Sequence, residues 1–126
     1  MQLIDGRTVH SSELKGKVVL VNFWATWCPY CRKEKSVINK FWLDHRARGF
    51  EVLTVSVDDT PAQVAAYMQE HDYDFMAGIM NDQLREVFGS PSKIPASFVM
   101  DKHGIITHSV SGQLHYMRLK ELTGLN

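Results

Sequence analysis

The sequence predicts an α/β fold in which residues 1–126 form one domain, a mixed central sheet flanked by helices on both faces. Three observations predict it. Lys17–Phe23 and Glu51–Val57 are continuous β-branched and apolar runs, the pattern of strands buried on both faces. A long amphipathic segment separates them, so the three together read as a βαβ unit with a parallel pair and a right-handed crossover. Ser97–Met100 and Ile105–Val110 are joined by Asp101-Lys102-His103-Gly104, a hairpin signal that adds an antiparallel pair.

The elements follow in order. Asp5-Gly6 reads as a tight turn and Leu14–Lys17 as a loop with Gly16 near its end. The long helix is predicted from Cys28 to about Arg48, with Pro29 in its first turn and Gly49 as its stop. Val37, Ile38, Phe41 and Trp42 form its apolar stripe, while Arg32, Lys33, Lys35 and Lys40 fall mostly outside it. Thr60 caps a helix from Pro61 to about His71, with Val64, Ala65, Tyr67 and Met68 at helical spacing. Phe75–Ile79 is a short strand or an extended connection. Asn81 or Asp82 starts a short helix through Phe88, and Gly89–Lys93 is a loop. A closing helix covers roughly His115–Leu122. Met68, Met76, Met80, Met100 and Met117 sit on apolar positions and are expected in the core.

Composition narrows the function. With 44% apolar residues the chain can bury a sizeable core without a metal or disulfide staple. Lys plus Arg and Asp plus Glu both number 14, and this balance argues against nucleic acid or an anionic membrane as partner. No run approaches the roughly 18 apolar residues of a membrane span. Met1–Gly6 shows no basic segment followed by an apolar stretch, so no leader is visible. The expectation is either a cytoplasmic protein or one that has lost a leader or anchor.

Two cysteines exist, Cys28 and Cys31, and the loop they could close is too small to stabilise the fold much. Chemistry explains the pair better than stapling. A closed zinc site needs two further ligands, and no second C-x-x-C or paired-histidine spacing is present. His10, His45, His71, His103, His108 and His115 show no metal spacing, and His71 and His103 are expected at the surface. Thiolate is the nucleophile in disulfide exchange. At a helix start, unpaired N–H groups and the positive end of the dipole favour the anion at Cys28. Cys31, one turn deeper, is close enough to attack a mixed disulfide and is shielded from substrate. Cys28 is therefore expected to attack and Cys31 to resolve.

The block Gly16-Lys-Val-Val-Leu-Val-Asn-Phe-Trp-Ala-Thr-Trp-Cys-Pro-Tyr-Cys-Arg-Lys-Glu34 resembles the core motif of thioredoxin-like proteins of the TlpA/ResA type. Ile94-Pro95-Ala96-Ser97-Phe98-Val99, the Asp101–Gly104 hairpin and the closing helix follow in that family's order, so the resemblance covers nearly the whole chain. It implies a thioredoxin fold and a thiol–disulfide oxidoreductase without cofactor. It also implies a periplasmic or otherwise extracytoplasmic setting with a possible membrane tether. Partners would be proteins bearing disulfides or thiols, together with an upstream thiol donor, and the chain is expected to be monomeric.

The resemblance also assigns residues. Pro95 is expected to be cis and to face the cysteines, leaving the Ile94 backbone open for a substrate strand; an ordinary trans proline at a strand start is the alternative. Glu34 matches a family glutamate proposed to tune the cysteines, against the plainer reading of a solvated first-turn carboxylate. Thioredoxin has a buried aspartate where this chain has Asn22; an amide cannot shuttle a proton, so that role is vacant or passes to Glu34 through a water. Trp27 is expected at the apolar rim that receives substrate, with Trp24 packed beneath. Pro29 and Tyr30, between the cysteines, are expected to affect the redox potential. Glutaredoxins also carry Pro-Tyr there, but their glutathione-binding signature is not evident. Asp58-Asp59 is assigned only to the loop before Thr60.

Two other readings compete. Peroxiredoxins share the fold but carry Thr or Ser three residues before their reactive cysteine, where this chain has Ala25; Thr26 lies two before Cys28. Copper-delivery modules of the SCO type place three residues between their cysteines and use a distal histidine, neither of which is matched here.

Overall fold

Buried on both faces, Val18–Trp24 forms β1 and occupies the middle of the sheet in a computed structural model that describes residues 1–126. The remaining strands are β2 (Phe50–Ser56), β3 (Met76–Ile79), β4 (Ala96–Met100) and β5 (Ile106–Ser111), in the spatial order β3-β2-β1-β4-β5. Strand β1 pairs parallel with β2, Val18 opposite Phe50, and antiparallel with β4, Val19 opposite Met100. The predicted mixed sheet is therefore present, and the ambiguous Phe75–Ile79 stretch resolves into β3, parallel to β2.

Alternation along β1 divides the core. Leu20 and Trp24 point to one face, where Ile38, Phe41 and Trp42 of α1 (Pro29–His45) pack with Val64, Tyr67 and Met68 of α2 (Pro61–His71). Leu119 and Leu122 of α4 (Tyr116–Thr123) complete that cluster. Val19, Val21 and Phe23 point the other way, toward Leu84 and Phe88 of α3 (Asp82–Phe88). Phe23 meets both Phe88 and Phe98 edge-to-face, at 5.7 and 5.9 Å between centroids. Helices thus cover both faces.

The caps follow sequence chemistry. Thr60 and Gln63 form a reciprocal capping box at α2, and Asn81 accepts from the Leu84 amide at α3. Helix α1 ends at His45 rather than near Arg48: Arg46–Arg48 tightens into a 3-10 turn, and Gly49 leaves it at φ 81°. The Asp101–Gly104 turn is held by the Asp101 carboxylate, which accepts from the amides of His103 and Ile105, with Gly104 at φ 80°.

Two expectations need correction. Met117 is exposed, because its side of α4 faces away from the cluster that takes Leu119 and Leu122. His71 lies at the end of α2, partly exposed and stacked on Tyr67 with centroids 4.1 Å apart. Lys35, placed mostly off the apolar stripe by periodicity, is fully buried. No helix is long and apolar enough to cross a membrane.

Candidate active site

The site forms where β1 runs into α1. Thr26 and Trp27 turn the chain out of the sheet, and Cys28 takes the N-cap position with extended backbone (φ −83°, ψ 116°). Pro29 then occupies the first helical position, where its missing N–H costs nothing. The Cys28 sulfur accepts a hydrogen bond from the Cys31 amide at 3.3 Å, a donor that strengthens as the sulfur becomes an anion. The dipole end and one aimed N–H thus meet at Cys28, as the sequence suggested.

Both cysteines are free, and both are buried, Cys28 retaining 5% of its surface and Cys31 none. The difference has the predicted sign but is small, so access runs through a narrow opening at Cys28. Burial pushes the Cys31 thiol up to about 12, with its hydrogen bond to Cys28 adding to the effect. Trp27 and Tyr30 stand open beside the opening, exposed by 58% and 62%, whereas Trp24 is fully buried beneath. The indole N–H of Trp27 donates to Asp58 at 3.2 Å, and Lys33 lies over the Tyr30 ring.

The bond between Ile94 and Pro95 is cis. Ile94 packs against the cluster that contains Cys28 and Cys31, and neither its amide nor its carbonyl is hydrogen-bonded within the chain. The Pro95 carbonyl is engaged by the Gly112 amide at 2.8 Å. An unpaired stretch of backbone therefore precedes β4.

Beneath the cysteines lies a polar network that periodicity alone did not reveal. Glu34 is fully buried, so the solvated first-turn carboxylate is excluded. One of its oxygens accepts from Asn22 Nδ2 at 2.7 Å, the other from the Leu114 amide at 2.7 Å. Asn22 also donates to Ser97 Oγ at 2.9 Å and accepts from Lys35 Nζ at 2.5 Å. Asn22 thus contacts Glu34 directly. Lys35 Nζ lies 3.7 Å from Glu34 and 4.6 Å from the centroid of the Trp24 ring. Burial raises the Glu34 carboxyl above its ordinary range and pulls Lys35 down to about 8, while their mutual attraction opposes both shifts.

Asp59, given no role by the sequence beyond its loop, fastens the turn that precedes Cys28. Its carboxylate accepts from the Thr26 amide at 2.9 Å, the Thr26 hydroxyl at 2.6 Å and the Ser56 hydroxyl at 2.7 Å. The contact joins residues 33 apart, so no local spacing signals it. Asp59→Ala leaves three donors without partners and loosens the approach to Cys28. We expect disulfide-exchange turnover to fall by roughly tenfold while the circular dichroism spectrum is retained; an unchanged initial rate would refute this role.

No group of three His, Cys, Asp or Glu side chains is placed to hold a metal ion. A closely spaced cysteine pair at a helix N-terminus, on a mixed sheet with a cis-proline loop, defines the class of thioredoxin-fold proteins. Within that class the chain belongs to the AhpC/TSA family, whose sequence pattern matches residues 1–109. It is 30% identical over 112 residues to a protein of Bacillus cereus named thiol-disulfide oxidoreductase ResA, an alignment covering 87% of this chain and 64% of that one. The chain thus spans slightly less than two thirds of that relative's length. A thiol:disulfide interchange protein of the thioredoxin family from Chlorobium tepidum superposes with a TM-score of 0.92 at 28% identity, covering 99% of this chain and 90% of that one. StoA from Bacillus subtilis superposes at 0.81 with 25% identity, covering 98% and 93%.

Proposed function

We propose that this protein exchanges disulfides with other proteins through the Cys28–Cys31 pair, acting as a reductase outside the cytoplasm. The observation that carries the reading is the N-cap position of Cys28, its sulfur held by the Cys31 amide with Cys31 sealed behind it. The Cys28 thiolate attacks a partner disulfide, one partner sulfur leaves as thiolate, and a mixed disulfide forms. The Cys31 thiol loses its proton, attacks the Cys28 sulfur and expels the second partner sulfur. Two electrons pass to the partner, and the chain is left as the Cys28–Cys31 disulfide. An upstream thiol donor then restores the dithiol.

The remaining site residues have supporting roles in this reading. Trp27 and the open Ile94–Pro95 backbone receive the substrate strand. Pro29 and Tyr30 set the surroundings of the sulfurs, and Glu34 tunes them from below. Relatives named as thiol–disulfide oxidoreductases and interchange proteins support the activity. The extracytoplasmic setting and a membrane tether follow the TlpA/ResA resemblance, and the protein acts as a monomer in this reading.

Membership of the AhpC/TSA family makes peroxide the competing substrate. Position 25 is alanine, and the Thr26 hydroxyl is committed to Asp59, so neither offers a hydroxyl to the thiolate. The reduced protein should consume a protein disulfide stoichiometrically and leave hydrogen peroxide largely untouched when no partner is added. Rapid peroxide turnover with a slow disulfide reaction would reverse the assignment.

A further inference from the structure

Among the lysines and arginines, only Lys35 is buried. It follows Cys31 by four residues, which places both on one face of α1. Its ammonium is fixed from two elements: Asn22 Oδ1 on β1 at 2.5 Å and Glu34 on α1 at 3.7 Å, with the Trp24 ring of β1 at 4.6 Å. Ser97 of β4 joins the network through Asn22. The titratable groups acting on Lys35 are Glu34, Cys31 and Cys28. Both oxygens of Glu34 are already engaged, by Asn22 and by the Leu114 amide. The carboxylate is therefore anchored, and the lysine beside it shares the buried face of α1 with Cys31.

We propose that Lys35 is a positioning residue of the dithiol: a buried cation whose field favours the ionised sulfur and whose proton is bound more tightly in the dithiol than in the disulfide state. The inference rests on the disulfide-exchange reading above. Lys35 transfers no electrons and forms no bond. Its field lowers the cost of removing the Cys31 proton, which leaves on the expelled partner thiolate or to water, before Cys31 attacks the Cys28 sulfur. Linkage requires the converse effect. A sulfur anion strengthens the hold of Lys35 on its proton, and the disulfide, which carries no charge, does not.

The Coulomb effects have these signs: Lys35 draws the Cys31 thiol down, and both cysteines draw Lys35 up against its burial. The test compares reduced wild type with Lys35→Met, alkylated by iodoacetamide across pH. The native alkylation profile of Lys35→Met should move up by about one pH unit, a rate near neutral pH lower by about tenfold. The two profiles should coincide in guanidinium, where the fold no longer places the lysine beside the sulfurs. Coincident native profiles would overturn the proposal and leave disulfide exchange standing. A reduced wild type that fails to reduce any protein disulfide would instead overturn the parent reading. Should Lys35→Met not fold, NMR of wild type carrying isotope-labelled lysine decides: Lys35 should titrate at higher pH in the dithiol than in the disulfide protein, and equal midpoints would sink the proposal.

Discussion

Cys28→Ser should reduce protein-disulfide reduction by about a thousandfold or more, because a serine hydroxyl is not ionised near neutral pH and attacks a disulfide far more weakly than a thiolate. Cys31→Ser should behave differently. The attacking sulfur survives, so a mixed disulfide with the partner forms, but nothing resolves it and the adduct accumulates. The asymmetry follows from position: Cys28 caps α1 and keeps a small opening, whereas Cys31 is sealed. Incubating each variant with extracytoplasmic extract and reading adducts by mass spectrometry checks both halves, and names the partner. Adducts trapped by Cys28→Ser and absent from Cys31→Ser would interchange the two roles. Full turnover in Cys28→Ser would remove the pair from the mechanism.

Glu34→Leu should cost about 3–5 kcal/mol at neutral pH, measured as a lower urea midpoint, because it strands the buried Lys35 charge and orphans the Leu114 amide. The pH dependence has a definite sign. Lys35 sits at about 8 in the folded chain against 10.5 for an ordinary lysine. Between those values the unfolded chain binds more protons, so stability rises with pH across that window. The penalty of burying the ammonium is complete below the folded value and fades as pH approaches 10.5. Without the carboxylate Lys35 falls further, so the deficit of Glu34→Leu should narrow as pH rises toward about 8 and stay level above it. A second substitution, Lys35→Met, should recover most of the loss, since a buried pair replaced by apolar groups is often tolerated. A midpoint unchanged by Glu34→Leu, or a deficit that widens with pH, contradicts this account of the network.

Much of the architecture was readable because local patterns and tertiary demands agree. The β-branched run of β1 could only be a strand buried on both faces, and the Asp101–Gly104 turn could only reverse the chain. Pro29 behind Cys28 marked the start of α1 within one residue. Helix ends were less legible: α1 stops three residues early because Arg46–Arg48 tightens into a 3-10 turn before Gly49. Met117 was misplaced because an apolar side chain states a preference, while the docking angle of α4 decides which flank meets the core.

Cysteine spacing, helix dipole and the proline before β4 were determined by the sequence itself, since each acts over a few residues of chain. What only the tertiary structure decided was the underside of the site. Asn22, Glu34, Lys35 and Ser97 lie on three elements, and a polar side chain enters a core only where partners from distant segments meet its hydrogen bonds. Helical periodicity assigns a lysine to water by default. Lys35 is inside because folding brings an amide and a carboxylate to its ammonium.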